Sequence, residues 1–413
     1  MKHKLVTSNK VYSRDSLDKI TSHLNSETVI VLHGARQVGK THILYLIQTQ
    51  LENLQMPNIY IDLEDPALLE VFNMGVDAFL QYLKGEGYET DKRLYVLIDE
   101  IQYLDNPSSF MKLIADHYKN IHLIVSGSST FEIKSKFSNS LVGRTVNFEI
   151  HPLSFQEFLK FKEVNINLKE ALLPVHIQKL EQQYREFVIY GGYPKVILAE
   201  TISQKRSIMG QIINTYIRKD IRDFANIEDP DKFNNLIQLL ASQTGQLLNV
   251  SRLSKEIQLS IPTINKYIFL LEETFILKRV RPTSRSSRVE IVKSPKIFFL
   301  DSGLASLLYM RDFPSISTGQ MFETSIFAEL AKHYGREEIN FWRTKAGAEV
   351  DFVINRALGE ILPIEAKLSF NSFNMKAILN FSAKYKTKNY KVIGLTGERK
   401  NKHYIYPWEI KIL

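Results

Sequence analysis

The sequence predicts an α/β protein: a parallel β-sheet, then a mostly helical stretch, then a second α/β region. Three observations support this prediction. A β-branched apolar run at residues 28–32 leads into a glycine-rich loop and then into a helical pattern. Strand-like and helix-like segments alternate across residues 28–150, which favours a parallel sheet covered by helices on both faces. Acid-bearing helices and strands alternate again after residue 320.

Composition narrows the class of protein. The chain has 413 residues, of which 44% are hydrophobic and 24% charged, as in soluble globular proteins of roughly two or three domains. The absence of cysteine excludes disulfides and thiolate metal sites and favours a cytoplasmic protein. No run approaches the roughly 18–20 apolar residues of a membrane helix, and the basic N-terminus lacks the apolar core of a secretory signal. A net charge of +8 is compatible with a nucleic-acid partner.

The glycine-rich loop has the spacing of a phosphate-binding loop. Residues 34–41, GARQVGKT, match G-x-x-x-x-G-K-[ST] between a strand and a helix, whereas a plain glycine turn gives no reason for the Lys-Thr pair. Glycines let successive backbone N–H groups face phosphate oxygens, and the helix N-terminus adds positive charge. Lys40 is predicted to contact the β- and γ-phosphates of ATP, and the Thr41 hydroxyl to contact Mg²⁺. The predicted nucleotide-binding residues are Gly34, Ala35, Arg36, Gln37, Val38, Gly39, Lys40, Thr41 and His42.

Other elements flank this loop. Before it, residues 11–27 predict a helix with Leu17, Ile20 and Leu24 on one face. After it come a strand at 58–63, an acidic turn and a helix near 76–84.

A second motif follows in the apolar run 93–98, which ends in Asp99 and Glu100. Such a run is typical of a parallel strand buried on both faces, and ligands bind at the carboxyl ends of these strands. Asp99 is therefore predicted to hold Mg²⁺ opposite Thr41, and Glu100 to orient or deprotonate the attacking water. The alternative is a strand that ends at a solvated acidic pair.

A further buried strand, 121–126, ends in Gly-Ser-Ser. Ser126 and Ser128 are both candidates to sense the γ-phosphate, with an ordinary polar turn as the alternative. A polar helix is predicted next, followed by a strand at 145–150.

Residues 151–225 are predicted to be helical, with a break at Gly191-Gly192. Residues 231–300 then predict a helix-turn-helix with a β-wing. Ser260 caps a helix that carries Ile264, Tyr267, Ile268 and Leu271 on one face. The wing is basic and is predicted to contact DNA phosphates, with protein docking as the alternative. Its basic residues are Lys278, Arg279, Arg281, Arg285, Arg288, Lys293 and Lys296, beside one acid, Glu290.

The C-terminal region carries a set of acidic residues. Glu365 and Lys367 share one face of a strand, and Asp351 lies on a neighbouring strand. Glu323 lies on the apolar side of a helix, which is costly unless it is paired, so it is preferred as a third acid over the solvated Glu329. Asp351 and Glu365 are predicted to bind Mg²⁺, with Lys367 beside the reacting phosphate, for metal-dependent DNA hydrolysis. A surface Glu-Lys pair is the alternative.

Taken together, the motifs resemble those of the bacterial and archaeal AAA-type ATPases whose C-terminal region is known only as a domain of unknown function. The motifs are GARQVGKT, YVLIDEIQYL, IVSGSS, GRTVNFEIHPLSFQEF, YGGYP, KIFFLDSGLA and FETSIFAEL…AEVDFVI…LPIEAKLS, which together span nearly the whole chain.

The resemblance implies an ATPase core at 1–150, a helical lid at 151–228, a winged helix at 229–310 and a restriction-endonuclease-like domain of the PD-(D/E)XK type at 311–413. On that pattern Glu323, Asp351, Glu365 and Lys367 match nuclease positions. Arg144 matches the arginine that acts on a neighbouring subunit's γ-phosphate, which implies a homo-oligomer.

The function predicted is a Mg²⁺-dependent ATPase coupled to DNA binding and to DNA cleavage by the C-terminal domain. The alternative is a nucleotide-dependent switch whose C-terminal domains bind a protein partner. No membrane partner is predicted.

Overall fold

A computed structural model describes residues 12–127, 141–220, 227–283, 294–355 and 360–412. The chain divides into two compact units, one ending at His151 and the next beginning at Pro152. The three segments predicted after residue 150 therefore lie in one compact unit.

The N-terminal unit is organised around a parallel sheet. Its strands follow the order β2–β3–β4–β1–β5. The predicted bounds agree with the observed ones to within about a residue. Strands β1 and β3 are buried along their whole length, as expected for strands covered on both faces. Because β4 lies between them, the carboxyl ends of β1, β4 and β3 are adjacent. The strands are β1 (Val29–His33), β2 (Asn58–Asp62), β3 (Leu94–Asp99), β4 (Ile121–Gly127) and β5 (Thr145–Glu149).

The helices of this unit differ from the prediction at three places, one of them the unpredicted helix Pro107–His117. The helix predicted at 11–27 has only five residues, Leu17–Thr21, although Ile20 and Leu24 are buried as expected. The acidic turn after β2 begins an unpredicted helix, because Asp65 accepts a hydrogen bond from Ala67 N and Pro66 starts the first turn. The polar helix predicted near residue 130 lies outside the described residues. The helices are α1 (Leu17–Thr21), α2 (Lys40–Asn53), α3 (Pro66–Asn73), α4 (Val76–Gly85) and α5 (Pro107–His117).

The C-terminal unit begins with helices. The break between α7 and α8 requires glycine: Gly191 has φ +77°, and a Cβ there would lie 2.0 Å from Asp301 Oδ1. Residues 213–220 continue α9 as a π-helical segment. In the described ranges, no helix combines the length and apolar character needed to cross a membrane. The helices are α6 (Phe155–Phe161), α7 (Pro174–Tyr190), α8 (Pro194–Leu198), α9 (Ile202–Ile212), α10 (Pro230–Ser242), α11 (Val250–Ile257), α12 (Ile261–Glu273), α13 (Ser302–Met310), α14 (Gly319–Tyr334) and α15 (Lys376–Tyr385).

A helix pair is followed by a two-stranded ribbon. Ser260 caps α12 by accepting a hydrogen bond from Thr263 N at 3.2 Å, and the apolar face of α12 is buried as expected. The ribbon pairs β6 (Leu277–Val280) with β7 (Lys296–Phe299) in antiparallel register. Of the residues between the two strands, 284–293 are outside the described ranges.

A mixed sheet completes the unit. Its strand order is β12–β11–β10–β9–β8. Strand β9 is antiparallel to both β8 and β10, whereas β11 is parallel to both β10 and β12. Strands β8 and β12 were not predicted, because their runs are short and lack a clear alternation of polar and apolar residues. The strands are β8 (Ile339–Arg343), β9 (Glu349–Asn355), β10 (Ile361–Ser369), β11 (Lys391–Thr396) and β12 (Tyr404–Ile405). Helix α14 packs against β10.

Candidate functional site

The glycine-rich loop closes around the ammonium group of Lys40. Lys40 Nζ donates hydrogen bonds to the carbonyl oxygens of Gly34 (3.1 Å) and Ala35 (2.9 Å) and is buried. Only glycine fits at position 34, because a Cβ there would lie 2.1 Å from the Ile150 carbonyl oxygen. Gly39 has φ +99° and starts α2, a conformation that glycine adopts without strain.

A buried arginine supports this loop from the N-terminal segment. Arg14 donates from Nη1 to the carbonyl oxygen of Val38 at 2.7 Å and from Nη2 to that of His151 at 2.9 Å. Nothing in the sequence distinguished Arg14 from the other basic residues near it. His42, predicted to bind nucleotide, lies within 2.8 Å of the Tyr12 carbonyl oxygen through Nε2.

The Asp99 carboxylate is the centre of a hydrogen-bond network at the carboxyl ends of the strands. Oδ2 accepts from Thr41 Oγ1 at 2.6 Å and from the Tyr60 hydroxyl at 3.1 Å. Oδ1 accepts from the Ser126 hydroxyl and from Glu100 N at 3.2 Å. These donors are uncharged, and burial together with Asp99 raises the pKa of Tyr60, so that its hydroxyl stays protonated. The network brings Asp99 beside Thr41, as predicted, and adds Tyr60, which sequence patterns did not reveal.

Glu100 follows Asp99 in a left-handed backbone conformation, with φ 54°. Such a conformation is strained for a non-glycine residue and is typical of functional sites. The Gln102 side chain donates to Glu100 Oε2. Burial raises the pKa of the Glu100 carboxyl, whereas the neighbouring Lys40 opposes that shift.

These residues fit a bound magnesium ion. Mg²⁺ prefers oxygen ligands and binds through few protein groups together with substrate phosphates. The Thr41 hydroxyl and the Asp99 carboxylate are adjacent oxygen donors beside the phosphate-binding loop.

Arg144, predicted to act on a nucleotide, lies apart from this network. Arg144 precedes β5, and its Nε donates to Asp116 Oδ1 at 2.6 Å. Strand β5 runs parallel to β1, so Arg144 lies at the amino ends of the strands, whereas Thr41 lies beyond their carboxyl ends. The length of a five-residue strand separates the two ends by roughly 16 Å. It therefore cannot reach the nucleotide site of its own chain. Ser128 lies outside the described residues, whereas Ser126 is within the network.

A second group of titratable residues lies on β9 and β10. Lys367 Nζ bridges Asp351 Oδ2 at 2.6 Å and Glu365 Oε2 at 2.7 Å, and Ala366 N donates to Asp351 Oδ2 at 2.9 Å. Glu365 is 4% exposed, and its Oε1 has no hydrogen-bond partner among the residues that the structure describes. Burial and the nearby Asp351 raise the pKa of Glu365 to about 8.

Glu323, on α14, is held by a lysine that was not predicted to be there. Lys296 Nζ lies 3.2 Å from Glu323 Oε1 and 2.6 Å from Glu349 Oε1. Burial and Asp351 raise the pKa of Glu323 to about 7. We name Glu323, Glu349, Asp351, Glu365, Lys296 and Lys367 together the acid site.

The expectation that Glu329 is solvated was wrong. Glu329 is 2% exposed, accepts a hydrogen bond from Phe155 N at 3.0 Å and pairs with Lys332 at 2.7 Å. It is buried because this face of α14 packs within the unit. The preference for Glu323 as the third acid is unaffected.

The ribbon is less available to DNA phosphates than its sequence predicted. Lys278 pairs with Glu337 at 2.6 Å, Arg279 pairs with Glu272 at 2.5 Å, and Lys296 is 3% exposed within the acid site. Acids from other elements thus neutralise these cations. Arg281 is exposed, and the remaining basic residues of the predicted wing, Arg285, Arg288 and Lys293, lie outside the described residues.

The predicted metal ligands of the acid site are a pair of carboxylates bridged by a lysine. Across the described part of the chain, no three acidic or histidine side chains form a group that could hold a metal ion. The donors Asp351 and Glu365 are nevertheless oxygen ligands of the kind that Mg²⁺ takes, and the unpartnered Glu365 Oε1 fits a ligand.

Comparison with known proteins bears on the N-terminal unit. Residues 26–159 match the family model described as an AAA domain. This segment is similar to proteins of that family, and we call residues 26–159 the AAA domain. Two further models, each described as a domain of unknown function, match residues 181–315 and 318–411.

Two relatives are similar to this chain over most of its length. An uncharacterized protein of Haemophilus influenzae is 25% identical over 402 residues, covering 95% of this chain and 94% of the relative. An uncharacterized protein of Methanocaldococcus jannaschii is 27% identical over 352 residues, covering 84% and 75%. The solved Walker-type ATPase of Pyrococcus abyssi aligns with 75% of this chain and 99% of its own at 13% identity and a TM-score of 0.46. Similarity to the two relatives thus extends beyond the AAA domain.

Proposed function

We propose that the AAA domain hydrolyses ATP with Mg²⁺. The observation that carries this proposal is the contact between Thr41 Oγ1 and Asp99 Oδ2 at 2.6 Å, beside a loop that encloses Lys40. Thr41 and Asp99 would hold Mg²⁺, which neutralises charge on the phosphate oxygens when bound. Lys40 leaves the loop carbonyls to contact the β- and γ-phosphates.

Glu100 acts as the base in this proposal. A water attacks the γ-phosphorus, its proton passes to the Glu100 carboxylate, and the bond to the bridging oxygen of ADP breaks. Gln102 orients the carboxylate through its hydrogen bond to Oε2. Ser126 lies on β4, between β1 and β3, and donates to Asp99. In this proposal it responds to the γ-phosphate.

The test is the rate of ATP hydrolysis in MgCl₂ for the wild type, Lys40→Ala and a matched lysine control. Lys92 is suitable for the control, because it lies in the same unit and its side chain is 70% exposed. We expect Lys40→Ala to abolish turnover and Lys92→Ala to leave it unchanged. Turnover that persists in Lys40→Ala would exclude this site.

We further propose that Arg144 completes the site of a neighbouring subunit in a homo-oligomer. The support is its place at the far edge of its own sheet, where its pair with Asp116 is 36% and 29% exposed and so open to exchange. Mixing Arg144→Ala chains with Lys40→Ala chains tests this proposal. Partial activity from two inactive parents indicates a shared site, whereas a fully active Arg144→Ala parent contradicts it.

A second candidate function is hydrolysis of DNA phosphodiesters at the acid site. It is favoured by the convergence of Asp351, Glu365 and Lys367 and by the unpartnered Glu365 Oε1. Asp351 and Glu365 would hold Mg²⁺, and Lys367 would contact the reacting phosphate. Cleavage of a DNA panel in Mg²⁺ or Mn²⁺, by wild type and by Asp351→Asn, tests this function.

The alternative for the C-terminal unit is a nucleotide-dependent switch that binds a protein partner. The ion pairs of Lys278 and Arg279 favour it, because they neutralise ribbon cations that DNA would need. DNA affinity that falls steeply with salt supports the DNA function, and its absence supports the switch.

A further inference from the structure

Lys296 lies where the ribbon meets the acid-bearing helix. Its ammonium group contacts Glu349 at 2.6 Å and Glu323 at 3.2 Å, from β9 and α14 respectively. It is 3% exposed, and the rings of Phe298 and Phe341 lie 5.8 and 5.6 Å from Nζ. Water is therefore largely excluded from this cation, and the two carboxylates provide its charge compensation.

The position of Lys296 is fixed by the backbone around it. Lys296 forms an antiparallel β-bridge with Leu247, and Gly245 N donates a hydrogen bond to the Ile297 carbonyl oxygen at 2.6 Å. A Cβ on Gly245 would lie 3.5 Å from Glu323 Oε2, so this turn also covers the acid. The side chain of Lys296 is thus directed into the acid site by paired strands.

The two lysines and their carboxylates act as one electrostatic group. The charge of Asp351 acts to raise the pKa of Glu323 and also that of Lys296, although its direct ion pair is with Lys367. Arg343 adds a further cation at 3.3 Å from Glu349. A divalent cation at Asp351 and Glu365 would therefore lie within the field of Lys296.

We propose that Lys296 is an internal cation that lowers the affinity of the acid site for divalent metal. It compensates carboxylate charge that would otherwise attract Mg²⁺ or Mn²⁺, and metal binds tightly only when this ammonium group is displaced. The proposal rests on the second proposed function, in which Asp351 and Glu365 take the metal. It makes Lys296 an autoinhibitory contact between the ribbon and the acid site.

Manganese binding to the full-length protein tests the proposal without relying on cleavage. Free Mn²⁺ is measured by electron paramagnetic resonance, with no nucleotide present. Every chain carries Asp99→Asn, so that the metal site proposed for the AAA domain does not contribute. Lys296→Met is compared with Lys278→Met, which removes another ribbon lysine that pairs with a glutamate outside the acid site.

We expect Lys296→Met to bind Mn²⁺ roughly tenfold more tightly or better, since a unit positive charge that acts on the acid site is removed. Lys278→Met should bind as the parent does, and adding Asp351→Asn to Lys296→Met should abolish the gain. If Lys296→Met and the parent bind Mn²⁺ equally and Asp351→Asn abolishes that binding, the role of Lys296 is overturned but the proposed metal site is supported. No binding in any chain overturns both.

A second variant guards against misfolding. Lys296→Met leaves Glu323 and Glu349 without their lysine, which can destabilise the unit. The double variant Lys296→Met/Glu349→Gln removes the cation together with its nearest carboxylate, and it should show a similar gain. Its failure to exceed Glu349→Gln alone in Mn²⁺ affinity would also overturn the proposal.

Discussion

The nucleotide site and the acid site both contain buried carboxylates, but the groups around those carboxylates differ in kind. Asp99 accepts hydrogen bonds from the hydroxyls of Thr41 and Ser126, which are neutral. Asp351 accepts from the ammonium group of Lys367 at 2.6 Å. Hydroxyl donors orient a carboxylate and leave its charge for a cation, whereas an ammonium group already compensates it.

This contrast has a consequence for function. The donors to Asp99 are neutral, so in our proposal its carboxylate is available to Mg²⁺ when nucleotide binds. The carboxylates of the acid site already contact Lys296 and Lys367, so in our proposal this site is stable without metal.

Glu100→Gln should reduce the turnover number for ATP by about two to four orders of magnitude, because it removes the proposed general base. ATP affinity should change little, since Lys40 and Thr41 are unaltered. Turnover and equilibrium binding of a labelled nucleotide measure the two effects. A variant with normal turnover would assign the proton transfer to another group.

Asp351→Asn should lower the free energy of unfolding of the C-terminal unit by about 3 kcal/mol, because it leaves the Lys367 ammonium group with one carboxylate fewer in a buried pair. Both tryptophans, Trp342 and Trp408, lie in this unit, so urea unfolding followed by tryptophan fluorescence reports on it. The exposed Glu398→Gln is the control and should change the midpoint little. An unchanged midpoint in Asp351→Asn would contradict the buried pair.

The stability of the C-terminal unit should fall as pH rises from about 4.5 to about 8. The pKa values of Glu323 and Glu365 are raised by folding, to about 7 and about 8, so the folded state binds more protons than the unfolded state in this window. The stabilisation that comes from protonated Glu323 and Glu365 is complete below their pKa in the unfolded chain. It is lost as the pH rises through their pKa in the folded chain.

Glu365→Gln should remove part of this pH dependence, on the order of 1–3 kcal/mol. The same fluorescence experiment in EDTA, repeated at several pH values, measures it. A pH profile identical to that of the wild type would show that Glu365 is ionised at neutral pH in the folded chain.

Lys278→Ala should have the smallest effect. Its partner Glu337 is 68% exposed, and such surface pairs contribute about 0–1 kcal/mol. DNA affinity and its salt dependence should also be unchanged, because the lysine is already paired. A clear loss of DNA affinity would indicate that the ribbon contacts DNA, as its sequence predicts.

Much of the local structure followed from the sequence. The apolar run before Asp99 and the loop around Lys40 predicted strand, turn and helix, because buried parallel strands and glycine turns have strong local signals. Residue pairs two apart on a strand also placed Glu365 and Lys367 on one face. The helix at Pro66–Asn73 and the strand at Ile339–Arg343 were missed, because the first begins in an acidic turn and the second is short.

Long-range partners were not predictable in this way. Arg14 reaches the phosphate loop from 24 residues away, and Lys296 reaches Glu323 from another strand pair. Residue type and spacing predict that Lys296 contacts DNA and that Glu329 is solvated, because they do not show which elements pack together.

The phosphate loop, the acidic end of β3 and the acids of the C-terminal strands are predictable from residue types at short spacing. How each charge is compensated depends on the tertiary structure. It placed hydroxyls on Asp99 and lysines on Asp351, Glu365 and Glu323. The reason is physical: the energy of a buried carboxylate depends on the groups within a few ångströms of it, and these groups come from distant parts of the chain.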